Sequence, residues 1–415
     1  MLTLLPHTAR DALATIHPYL VEAAEKDGAF IAKAHPDLET LADHGQVELP
    51  CDIAFVQDGY IEAILDRGVQ RTGYPREVLE DELARNGLPA EASGIWPTFD
   101  ALYPALVNYE RWDRKTFHIS DALTARLAVT EANIQIGQMH LPFPAFLIVF
   151  TDPLATELLY RQMRAERPRI AQQPLPDAPI SIFVQRVQRA EDAHPRLIVT
   201  TVIAERLDRT HAAFHHLGRR QLHLDPDWDI ERSLRTDWDE VTPGDTLAET
   251  GSDASREFLL DDATFYDAGL GFYRFVMNTI LYLTSRAAER EVIPSPVEQL
   301  QEVDLSALSR KAAKTLRRRA EAASPDPHEK VGRSVQPIRY SQNSGSDGAP
   351  SIRTIDKRFL VRGHWRNQAV GPGRRERALI WIEPHWKGPD LAEITSRPYL
   401  VDAPDRTIVR RDPPS

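Results

Sequence analysis

A chain of 415 residues with 42% hydrophobic and 27% charged residues can bury two or three domain cores and has the balance of a globular protein, which excludes a largely disordered or fibrous chain. Its single cysteine, Cys51, excludes a disulfide framework within the chain and argues against a cysteine-based zinc site. The formal charge of −11 is unevenly divided: residues 305–415 hold 22 Lys and Arg against 12 Asp and Glu, net +10, which leaves −21 on residues 1–304. Such asymmetry suits a C-terminal third that meets phosphate or acidic surfaces, or else two parts that attract each other.

The chain opens on helical patterns. Thr8 to Glu25 and Ile53 to Val69 space their apolar residues for helices, Pro75 can start a third that Asn86-Gly87 ends, and Asp121 to Ile134 follows a Ser120 cap. The start lacks a basic stretch leading into a long apolar one, so it reads as an amphipathic helix rather than an export signal. The character then changes. Phe143 to Phe150, Ile180 to Val187 and Leu197 to Ile203 are short runs rich in Ile, Val and Phe that suit buried strands. Gly269 to Arg290 reads as a mostly buried helix whose Arg274 and Asn278 need polar partners. The most apolar windows, at 141–150 and 272–283, fall short of the roughly 20 residues of a membrane span. A cytoplasmic protein without membrane contact is the expectation.

Further on, Ser295-Pro296-Val297-Glu298 has capping-box spacing, and Asp304 can cap a helix running to about Ala323. That helix collects Leu305, Leu308, Ala312 and Leu316 on one side. Arg310, Lys311, Lys314, Arg317 and Arg318 lie mostly away from it, a pattern that fits an RNA-binding helix and equally a solvated surface. Residues 324–351 are rich in Pro, Ser, Gly and Asn without periodicity and read as a linker. The expected architecture is therefore α+β: a mainly helical region at 1–135, a central α+β domain at 136–323, a flexible linker at 324–352 and a basic β module at 353–415.

Residues 361–388 carry three tryptophans, two histidines and six positive charges around Gly371-Pro372-Gly373. Phe359 to Arg366 and Arg377 to Glu383 favour strands, so the segment reads as a hairpin. Alternation places Val361 and Trp365 on one face and Ala378, Ile380 and Ile382 on an apolar face of the second strand. Pairing those faces on a core leaves Arg362, His364, Arg366, Arg377 and Trp381 as a basic, aromatic platform for nucleic acid or an acidic peptide.

The run Gly363-His364-Trp365, then Gly371-Pro372-Gly373, then Pro384 closing a basic strand resembles the C-terminal signature of the second type V-A anti-CRISPR family. Leu141-Pro142-Phe143 with the apolar run to Phe150, and the apolar stretch from Phe272 to Leu283, add weaker similarity. The resemblance implies a protein of phages and plasmids that recognises the nascent N-terminal part of a type V effector nuclease and causes loss of its messenger RNA. Its implied partners are the nascent polypeptide, RNA or the translating ribosome, and a host nuclease. Charge suggests that the acidic body takes the peptide, while the basic helix and hairpin take RNA or the ribosome.

Other constellations are weaker. His211, His215 and His216 include an i, i+4 pair able to meet on a helix, but no zincin glutamate follows the first histidine. The acids of Asp225 to Asp229 and Asp237 to Glu240 read as exposed loop charge. No metal or cofactor is expected. His364 beside arginines is the one catalytic candidate, as proton donor or acceptor in RNA cleavage. A ribonuclease, or a nucleic-acid-binding regulator unrelated to CRISPR, is thus the alternative function.

Overall fold

A computed structural model describes residues 8–16, 18–37, 75–78, 95–166, 178–188, 192–206, 212–241, 262–295, 300–301, 303–322, 326–336 and 359–387. The expected helix at Ile53 to Val69 and the Asn86-Gly87 stop of the helix expected from Pro75 lie outside them. Among the described residues, the helices α1 (Ala9–Ile16), α2 (Pro18–Ala34) and α3 (Ile95–Arg111) precede the first strand, and residues 76–78 after Pro75 are also helical. The single helix expected at Thr8 to Glu25 is two, with the second beginning at Pro18, where the missing N–H cannot continue a helical ladder. β1 (Thr116–Ile119) leads into α4 (Asp121–Ala128), where the Ser120 side chain accepts from the Leu123 amide. α4 ends six residues earlier than its apolar spacing suggested, because Thr130–Glu131 forms the short strand β2.

The centre comprises β3 (Ala145–Phe150), α5 (Pro153–Glu166), β4 (Ile180–Val187), β5 (Arg196–Arg206), β6 (Ala212–His223), α6 (Ile230–Val241) and α7 (Asp262–Thr284). β7 (Arg290–Ile293), α8 (Arg310–Ala322) and β8 (His328–Val331) follow. The described residues close on β9 (Phe359–Val361), β10 (Gly363–Val370), β11 (Glu376–Ile382) and β12 (His385–Lys387). One seven-stranded mixed sheet runs in the order β6-β5-β4-β3-β1-β8-β7, with β1 parallel to both β3 and β8. β11-β10-β2 and β12-β9 make two smaller sheets.

Alternation along the strands divides two cores. Phe146, Ile148 and Phe150 face a cluster with α4, α5, α6 and α7, whereas Leu147 and Val149 face one with α1, α2 and α3. Helices therefore cover both faces of the sheet, which is why β3 and β4 are continuous apolar runs. Arg274 and Asn278 inside α7 have the partners their burial demands. The Arg274 guanidinium donates to both carboxylate oxygens of Glu231 at 2.7 and 2.8 Å, and the Asn278 amide donates to the Thr130 carbonyl at 2.6 Å.

β8 corrects the linker. His328–Val331 pairs with β1 and β7 inside the main sheet, so the segment read as flexible from 324 contains structural backbone. Burial at this corner comes with charge. Arg10 on α1 donates to Glu110 on α3 at 2.8 Å, pairs with Glu25 on α2 and lies 3.7 Å from Asp326, which Arg114 reaches at 3.0 Å. This network ties three helices to the approach of β8. Beside it, His118 and His328 meet at 4.7 Å between ring centroids, and burial, then His328, pull His118 down to about 3, so it is neutral.

Candidate binding surfaces

The hairpin is anchored by its two tryptophans. In the β10–β11 ladder Trp365 stands directly opposite Trp381, their rings stack at 6.3 Å, and Tyr282 on α7 meets Trp381 edge-on at 5.2 Å. Each indole N–H has a buried acceptor: Trp365 Nε1 donates to Asn278 Oδ1 at 2.9 Å and Trp381 Nε1 to Thr130 Oγ1 at 3.2 Å. Gly363 lets β10 approach β2 this closely, since a Cβ there would sit 2.4 Å from Thr130 Oγ1. The hairpin is thus part of the main core.

Two expectations are corrected here. Trp381, only 6% exposed, belongs to the core and is no element of a binding platform. The apolar face of Ala378, Ile380 and Ile382 lies instead with Gln368, Arg366 and His364, half exposed. The physical reason is that two indoles bury more area than two isoleucines and carry N–H groups that α7 and β2 satisfy. Alternation counted from Val361 also misleads, because Val361 pairs with His385 in a different sheet.

The register divides the remaining platform residues. His364 and Arg366 share the outer face of β10, Arg377 sits at the exposed end of the inner face, and exposed Arg362 lies 3.7 Å from Glu131. No single surface gathers Arg362, His364, Arg366 and Arg377. His364 has Ile382 and the carboxylate-bearing Glu131 as its cross-strand neighbours. Sequence reasoning passed over Arg374 and Arg375 at the hairpin tip, both exposed and without an ion-pair partner among the described residues. The signal was the turn itself: Gly371 and Gly373 have positive φ, and the two arginines follow at its apex.

α8 carries the second surface. Arg310, Lys311, Lys314, Arg317 and Arg318 are all exposed and have no ion-pair partner among the described residues. Arg310, Lys314, Arg317 and Arg318 rim an open groove with Leu305 and Leu308 along it. The boundary differs from expectation: Asp304 caps a 3-10 turn at Leu305–Ala307 by accepting from the Ser306 amide, while Ser309 caps α8 by accepting from Ala312.

The remaining candidates have local roles. His215 and His216 lie on β6 rather than on a helix, and His211, the other member of the i, i+4 pair, lies outside the described residues. Asp225 and Asp229 accept from the backbone amides of Asp227 and Arg232, whereas Asp237, read above as exposed loop charge, is buried on α6 and accepts from the Gln221 amide. Among the described residues no three His, Cys, Asp or Glu side chains converge to hold a metal ion. No described helix is long and apolar enough to cross a membrane.

Residues 117–388 match the family described as AcrVA2-like: Anti-CRISPR type V subtype A2 family. No curated protein matches the chain. A solved structure titled "Crystal structure of AcrVA2" is similar at 9% identity and a TM-score of 0.34, covering 91% of this chain and 96% of that one. The family match spans β1 to β12, through the hairpin strands β10 and β11 and through α8, and it places the chain in the AcrVA2-like family of type V anti-CRISPR proteins.

Proposed function

We propose that the protein blocks type V CRISPR immunity at the level of effector production, by recognising the nascent N-terminal part of the effector nuclease and causing loss of its messenger RNA. Family membership makes a component of a type V system the target. The observation that carries the RNA side of the proposal is α8: five exposed cations without ion-pair partners among the described residues, on a helix of 13 residues, in a chain whose net charge is negative. Unpaired cations self-repel, a cost relieved when phosphate replaces their counterions. α8 therefore contacts RNA or the translating ribosome, and a polypeptide contact supplies target choice. A host nuclease recruited to the message completes the scheme.

Replacing Arg310, Lys314, Arg317 and Arg318 with Gln is expected to weaken RNA or ribosome association and to flatten its salt dependence, with the log–log slope falling by up to about 3 to 4 for four lost phosphate contacts. Co-sedimentation with ribosomes across a salt series reads this directly. An unchanged slope would return α8 to an ordinary solvated surface.

A further inference from the structure

Three of the four edges of the two larger sheets differ in how they are guarded. At one end of the large sheet α6 lies against β6, with Asp237 accepting from the Gln221 amide at 2.9 Å. At the other, β7 is four residues long and carries Arg290 and Glu291, the usual protection of an edge by brevity and charge. β11 is the outer strand of its sheet, seven residues long, in unbroken register with β10. Among the described residues no backbone group pairs with its outer side. From Ala378 to Ile382 this edge has no charge, proline or bulge.

We propose that the outer edge of β11 is a docking site for an extended acidic peptide, which adds to the β11-β10-β2 sheet as a fourth strand. Strand addition draws affinity from main-chain hydrogen bonds and specificity from alternate side chains. The platform is rigid because Trp365 and Trp381 pin its inner face to α7 and β2. Ile380 and Ile382 lie half exposed on the outer face, where alternate apolar residues of an added strand would cover them. Charge selects the occupant: between residues 366 and 382 there are four arginines, Arg366, Arg374, Arg375 and Arg377, against Glu376 alone. An acidic residue at the tip end of the peptide meets this cluster, and a basic one is repelled. The inference rests on the function proposed above only in expecting a polypeptide partner, and it moves that contact from the acidic body to the basic hairpin.

The test uses the full-length protein and no effector. A library of acetylated, amidated seven-residue peptides is screened at low salt, and the selected peptide is resynthesised with N-methyl groups on one or the other alternate set of residues. The expected selection has Asp or Glu towards one end and β-branched residues at alternate positions. Methylation in the frame that faces β11 should weaken binding by about tenfold or more, while the other frame leaves it nearly unchanged. The exposed double variant Arg375→Glu with Arg377→Glu should lose the acidic peptide by about tenfold and keep its melting temperature. Hydrogen exchange should slow at β11 amides when the peptide is added. Absence of any selected peptide, equal tolerance of both methylation frames, or slowing at β11 by an oligoribonucleotide but not by peptide would each overturn the assignment. A docking peptide with no effect of the protein on effector transcripts would leave this site standing and remove the function proposed above.

Discussion

Trp365→Ala is expected to destabilise the protein by about 3 to 5 kcal/mol, the range of large-to-small changes in a packed core. Trp365 is 5% exposed, stacks on Trp381 and donates to Asn278, which is itself fully buried in α7. Truncation leaves a cavity beside Trp381 and an Asn278 oxygen without its donor, and the second loss alone costs about 1 to 3 kcal/mol in a buried setting. The loss is therefore read in unfolding of the main body as well as in the near-ultraviolet signal of the remaining tryptophans. His364→Ala, on the outer face one residue away, is expected to change stability by no more than about 0.5 kcal/mol. A silent Trp365→Ala together with an unfolding His364→Ala would overturn the strand pairing. A His364→Ala protein that still lowers the effector transcript fully would exclude His364 as an essential proton donor.

Arg10→Met is expected to cost about 3 to 5 kcal/mol, because it removes the buried cation shared by Glu110 and Asp326 and leaves them only the more exposed Arg114. Burial already raises the pKa of Glu110 and of Asp326, and Arg10 is the leading influence holding each of them down. Without it both folded-state pKa values rise further above their unfolded values. Groups so raised favour the folded state below the unfolded pKa and lose that contribution as pH climbs through the folded pKa. The variant's deficit should thus be largest at pH 8 and shrink towards pH 5, as the two carboxyls take up protons. Denaturant unfolding at both pH values measures this, and a deficit independent of pH would mean that packing rather than charge fixes the corner.

Parts of this architecture were legible because local and global signals agree. β3 and β4 are apolar on both faces since helices cover both, and the Ser120 cap sits beside a clear amphipathic run. β8 was not legible: His328, Glu329, Lys330 and Val331 carry almost no strand signal, and pairing with β1 and β7 alone makes them a strand. β2 is two residues long and is defined by a partner 233 positions away, Gly363 against Thr130. The hairpin was legible as a hairpin but not in its facing. Alternation allowed either the isoleucines or the tryptophan of β11 inward, and the acceptors that decide it, Asn278 and Thr130, lie far off in sequence. The exposed cations of α8 were readable from helical spacing, whereas Arg374 and Arg375 needed the tip geometry of the Gly-Pro-Gly turn.

Recognition of the effector as a polypeptide during translation, as proposed above, requires peptide rather than nucleotide sequence to direct loss of the message. The protein is expressed beside three type V effector genes: unaltered, synonymously recoded through the start region, and frameshifted through the same region with the frame restored downstream. Effector transcript and protein are measured for each. Loss of the unaltered and recoded transcripts with survival of the frameshifted one is the predicted result, and equal loss of recoded and frameshifted transcripts would contradict it.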